Sequence, residues 1–287
     1  MVLQYNSTVP GPNGLPMESI EILKLCPHIH TLLRPRFTPT DTLRFDYEID
    51  EVPLPTLQHL EWWHYNDAER SGGINSLSAV LRGAPNISYL FVGGVRSFSR
   101  LWLQEGTFPH LRTLRLGTIN GLFLHQIVSS WSLPSLTCIV LDSPLPDSGW
   151  GSIWNAFGRQ LKAIEFGKNL RFFSYDQLSP CLNGCPGLEQ LNFYPSFTAP
   201  AENIQPHTSL TTVRLHLAVN NLLYNVDDLV WDLLDRHFKI LCGGDLPALR
   251  CIILHGNWNS ILHHSRFIPI RERLQDTNII LEILHSS

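Results

Sequence analysis

Short alternations of apolar and polar residues recur along this chain at near-regular intervals. Each has the same order: a Pro, one residue, an apolar residue, two variable residues, an apolar residue, one variable residue and a further apolar residue. Residues 54–62, 84–92 and 108–116 are three copies, and residues 133–141, 185–193 and 246–254 repeat them. Two copies, at 161–166 and 210–215, lack the Pro. Residues 27–32 form a degenerate first copy and 279–283 a truncated last one. The middle apolar positions are Leu32, Leu60, Leu90, Leu114, Ile139, Ile164, Leu191, Val213, Ile252 and Leu281. They lie 22 to 30 residues apart, except for 39 between Val213 and Ile252.

Alternation such as Leu114-Arg115-Leu116 predicts a short strand with one buried face. The Pro lacks an amide donor, so it belongs before the ladder and not within it. The gaps are long enough for a crossover to a parallel neighbour. Several gaps carry a helical stripe: residues 74–81, with Gly83 just past the end, then 121–130, 176–182 and, longest, 226–241. The tail predicts a helix over 266–275 and a closing strand over 279–284. A repeat of this period predicts an α/β leucine-rich-repeat-like solenoid, a curved parallel sheet with helices and loops on its convex side. One domain over 1–287 is expected, with about ten repeats, an N-terminal cap at 1–26 and a C-terminal cap at 264–287. The Pro-rich stretch 34–54 is either a long first return or a lid over the solenoid end.

Composition narrows the function classes. With 44% apolar and 16% charged residues the chain has the makings of a packed core. A net charge of -4, with no Lys/Arg run longer than two, argues against nucleic acid or an anionic membrane as partner. No apolar stretch reaches transmembrane length, and the first residues lack a signal peptide's apolar core. The six Cys are scattered through apolar contexts, which suits reduced thiols and a cytoplasmic or nuclear location.

The copies LPTLQHLEWWH, FPHLRTLRLG, LPSLTCIVLD, CPGLEQLNFYP and LPALRCIILHG resemble the repeat region of fungal F-box/leucine-rich-repeat-like proteins, over about residues 20–284. In that family an N-terminal F-box docks a ubiquitin-ligase adaptor while the repeats hold a target. Pro10, Pro12 and Pro16 make the stretch before the first repeat a poor helix, so the F-box is expected to be absent from it. The resemblance then implies a substrate receptor in a longer form, or a repeat domain serving another partner.

Residues flanking the middle apolar anchors should point out on the concave face, where solenoids bind. They are His59, Glu61 and Trp63; Tyr89 and Phe91; Arg115; Asp142; Glu165; Asn192 and Tyr194; Arg214 and His216. Trp63, Tyr89 and Phe91 gather aromatic surface at neighbouring copies, which is either a partner patch or a floor covered by the N-terminal segment. Arg115, Asp142, Glu165 and Arg214 form a charged middle, read as a solvated face with cross-strand ion pairs.

A protein partner or small molecule on this face is the expected ligand, with no cofactor and no metal. His28-x-His30, His263-His264 and Cys181-x3-Cys185 each lack the further ligands of a closed metal site. There is no nucleophile elbow, phosphate-binding loop or zinc-protease motif. Enzymatic or small-molecule use stays an alternative, through a set assembled across strands, such as Cys251, His255, His216 and Asp142, or through a pocket enclosed by the sheet and residues 34–54.

Overall fold

The computed structural model describes residues 26, 28–34, 53–64, 77–95, 105–145, 149–170, 175–218 and 227–284. Most of the expected stretch 34–54 and the N-terminal cap lie outside them. The chain divides into two compact units, Met1–Leu136 with Leu145–Gly149, and Thr137–Pro144 with Trp150–Ser287.

In the first unit, β1 (Thr31–Arg34), β2 (His59–Trp63), β3 (Tyr89–Gly93) and β5 (Thr113–Leu116) pair in that order, all parallel. The two-residue strands β4 (Gly106–Thr107) and β6 (Trp131–Ser132) form a separate parallel pair. The helices are α1 (Leu77–Gly83) and α2 (Gly121–Ser130). The expected anchors fall into one register, Leu32 beside Leu60, Leu60 beside Leu90 and Leu90 beside Leu114.

The second unit orders β7 (Cys138–Leu141), β8 (Ala163–Phe166), β9 (Gln190–Phe193), β10 (Thr212–His216), β11 (Cys251–His255) and β12 (Ile280–Leu284), again all parallel. Ile139, Ile164, Leu191, Val213, Ile252 and Leu281 share its central register. Its helices are α3 (Gly149–Phe157), α4 (Leu178–Gly184), α5 (Asp227–Leu241), α6 (Asn259–Leu262) and α7 (Ile268–Asp276).

The repeated Pro has a structural role that the backbone makes explicit. It occupies the second position of a tight turn, where its fixed φ is preset. The residue two after it closes the turn, as in Leu57 N to Leu54 O at 3.1 Å, Leu111 N to Phe108 O at 3.3 Å and Leu249 N to Leu246 O at 3.0 Å. The chain then enters the ladder through one carbonyl that accepts two successive amides. Ser88 and Tyr89 both donate to Gln58 O, Glu189 and Gln190 to Lys162 O, and Arg250 and Cys251 to Thr211 O.

One of the copies without Pro reaches the same shape differently. In the copy leading to β10, the buried His207 accepts from Leu210 N at its Nδ1 (3.1 Å) and donates from Nε2 to Cys185 O (3.0 Å). A side-chain nitrogen thus takes the role that a turn carbonyl plays elsewhere.

Burial follows the alternation. Leu60, Trp62, Leu90, Val92, Leu114 and Leu116 of the first unit are buried, as are Ile139, Leu141, Ile164, Phe166, Val213 and Leu215 of the second. Helix ends are set by local polar contacts. Asn120 caps α2 by accepting from Phe123 N at 2.8 Å, and Asp176 accepts from Ser179 N at the start of α4. In the long interval, α5 buries Leu233, Leu234, His237, Phe238 and Leu241, and His237 donates to Thr198 O at 2.8 Å.

Three expectations change. Gly83 is the last residue of α1 and not a residue beyond it. The expected helix over 176–182 is shifted two residues onward, because Asp176 caps it instead of joining it. The helix α3, rich in Gly and Trp, has no counterpart among the expected elements. At the chain's end β12 is largely open, with Ile280 61% exposed.

Candidate functional site

The strand residues that alternate with the core form one face of each unit. In the first unit, parallel pairing sets His59 beside Tyr89 and Tyr89 beside Thr113, then Glu61 beside Phe91 and Phe91 beside Arg115. Trp63 faces Gly93. The His59 and Tyr89 rings stack at 4.1 Å and 2°. His59 Nε2 lies 3.2 Å from Glu61 Oε1. Trp63 meets Phe91 edge to face at 5.1 Å, and the Arg115 guanidinium lies over the Phe91 ring, 5.8 Å from its centroid.

Gly93 makes this packing possible. A Cβ there would lie 2.7 Å from Phe91 Cζ and 2.9 Å from Trp63 Cζ3. The two rings occupy the space that a side chain at position 93 would take.

One expectation is corrected by this geometry. Phe91 does not point into solvent: it is 6% exposed and forms the floor of the patch. Strict alternation places it outward, but Trp63 and Arg115 close over it. His59, Glu61, Trp63, Tyr89 and Arg115 remain partly exposed around it.

In the second unit, Glu165, Asn192 and Arg214 sit side by side in register. Glu165 and Arg214 are not direct register partners. Asn192 lies between Glu165 and Arg214 and donates from Nδ2 to Glu165 Oε2 at 3.3 Å. One turn of the pleat further on, Tyr194 stacks on His216 at 5.0 Å and His216 on His255 at 4.9 Å. Asp142 is partly exposed, on the residue after β7. Asn192 is 8% exposed, so the expected surface residue is mostly enclosed. Its Oδ1, Arg214 Nε and His216 Nε2 are buried without a hydrogen-bond partner.

Electrostatics bear on the chemistry available. His216 is pulled below its ordinary pKa, first by burial and then by the charges of His255 and Arg214, against the opposing pull of Glu165. The Cys251 thiol is pushed up by burial and by Glu282, away from the thiolate that a nucleophile needs. Of the expected cross-strand set, His216 and His255 are brought together as stacked rings.

The paired histidines serve local structure. His263 Nδ1 bonds Asn259 O at 2.8 Å, and His264 accepts from Arg266 N and stacks on Trp231 at 4.7 Å. Cys181 and Cys185 are fully buried, and burial first, then the contact with Cys185, pushes the Cys181 thiol pKa up. Among the described residues, no group of three or more His, Cys, Asp or Glu is placed to hold a metal ion. None of their helices is long and apolar enough to cross a membrane.

Residues missed by sequence reasoning also line a cavity of about 220 Å³ in the first unit, bounded by Leu81, Pro85, Thr107, Phe108 and Trp131. It lies by α1 and the β4–β6 pair, away from the face described above. No protein-family model matches the chain, and no curated protein matches it as a relative.

Proposed function

We propose that this chain is a leucine-rich-repeat-like recognition module that holds a protein partner on the face built from the residues flanking its anchors. The observation that carries the reading is the patch of the first unit, where His59, Tyr89 and Trp63 surround a buried Phe91. Rigid, pre-packed aromatic groups beside an Arg are the composition that dominates interface energetics. They are already ordered, so little side-chain entropy is lost on binding. The regular repeat of parallel strands and the likeness of its copies to fungal F-box/leucine-rich-repeat-like proteins support a target-holding role.

The test is affinity capture with wild type, a Trp63→Ala/Tyr89→Ala variant and a control variant, Lys239→Ala, on α5. The reading expects a partner held by wild type and the control and lost by the double variant, with far-UV circular dichroism unchanged. Equal retention by all three proteins would refute it.

A further inference from the structure

We infer that Asn192, Arg214 and His216 form the polar contacts of a site for a neutral carboxamide group, carried by a peptide backbone or by a Gln or Asn side chain. The inference stands apart from the partner patch of the first unit and uses only second-unit residues.

Three neighbouring side chains each leave one buried polar atom unpaired: an acceptor, Asn192 Oδ1; a donor, Arg214 Nε; and His216 Nε2, which donates or accepts according to tautomer. Buried polar atoms are rarely left in this state, and three together mark a place for an absent partner. Turning the Asn192 amide over does not repair it. The exchange would aim an NH2 group at the Arg214 side and break the bond to Glu165 Oε2.

A carboxamide offers what the three atoms need: a carbonyl oxygen for Arg214 Nε, an N–H for Asn192 Oδ1, and a second contact for His216. Arg214 and His216 are partly exposed, so rotation of either side chain opens its nitrogen to an incoming group. Ile253, buried next to Arg214, gives an apolar flank for the attached carbon.

Charge selects against an anion, and hydrogen-bonding capacity against a cation. Across the ladder the order runs Glu165, Asn192, Arg214, Ile253, Glu282, so the one cation lies between two carboxylates. His216 is held toward its neutral form. A carboxylate ligand meets net negative surroundings. An ammonium has no lone pair to accept from Arg214 Nε–H and leaves that donor unpaired.

The test is an NMR titration of the full chain, following the Asn192 side-chain NH2 and the His216 ring. The probes are N-methylacetamide for a backbone amide, acetamide for a side-chain amide, sodium acetate and methylammonium chloride. Saturable shifts from at least one amide and none from the two ions are expected, and the stronger amide assigns the source. Arg214→Lys keeps the charge but loses the Nε–H, and should weaken amide binding about tenfold, the order expected for one buried hydrogen bond. Asn192→Leu should do the same. If that variant fails to fold, Arg214→Lys carries the result alone. Trp63→Ala should bind the amide as wild type does, which separates this site from the first-unit patch. Absence of saturable shifts from both amides, equal shifts from acetate, or full affinity in Arg214→Lys would overturn the inference.

Discussion

Trp63 and Phe91 pack edge to face on neighbouring strands, ring centroids 5.1 Å apart at 64°, over a position that only Gly93 leaves empty. Gly93→Ala should therefore strain the patch. The added Cβ meets two stiff rings and not a flexible side-chain end. A loss of about 1–3 kcal/mol is expected, the range for overpacking a filled site. Thermal unfolding with tryptophan fluorescence checks it, and an unchanged midpoint and spectrum would count against the packing described.

His207→Ala should be more costly than its small size suggests. It leaves Leu210 N without its partner in a buried turn and takes from Cys185 O one of its two donors, Leu188 N being the other. Orphaned buried groups cost about 1–3 kcal/mol each, so the urea midpoint should fall clearly. A Pro-type turn that formed without the imidazole would leave the midpoint in place.

Acid should destabilise the second unit through His237. Burial is the main cause that lowers its pKa from 6.5 to about 4, with Arg236 adding to the effect and the Thr198 and Pro195 carbonyls and Asp176 opposing it. The unfolded chain takes up the proton first as pH falls below about 6.5, so folding stability is full above that value. It declines until about pH 4, where the folded form also protonates, for a total on the order of 3 kcal/mol. His64 of the first unit shifts the same way, lowered to about 4 by burial and then by Arg34. Urea unfolding between pH 7 and 4 should show the decline, with a shallower slope in His237→Gln. Identical slopes would remove His237 from the account.

Much of the fold was legible because burial imposes it locally. An anchor such as Leu90 must face inward for its strand to be stable, so its spacing shows in the sequence, and within each unit the expected anchors sit in register. The bounds of α2 were legible from its apolar stripe. The site was legible only in part. Alternation identifies which side of the strand Phe91 takes, but not that Trp63 and Arg115 roof it over. That roof depends on the absent side chain of Gly93, two residues further on. The unpaired atoms of Asn192, Arg214 and His216 were equally hidden. They become neighbours through pairing between residues 22 apart, and a hydrogen bond's absence leaves no trace in spacing.

The most direct measurement places a photo-crosslinking residue on the proposed recognition face. Trp63→p-benzoylphenylalanine should crosslink a partner in cell extract, and Lys239→p-benzoylphenylalanine on α5 should not. Excess wild-type protein should compete the product away, whereas excess Trp63→Ala/Tyr89→Ala protein should leave it intact. Equal crosslinking from position 239, or equal competition by the double variant, would contradict recognition through this face.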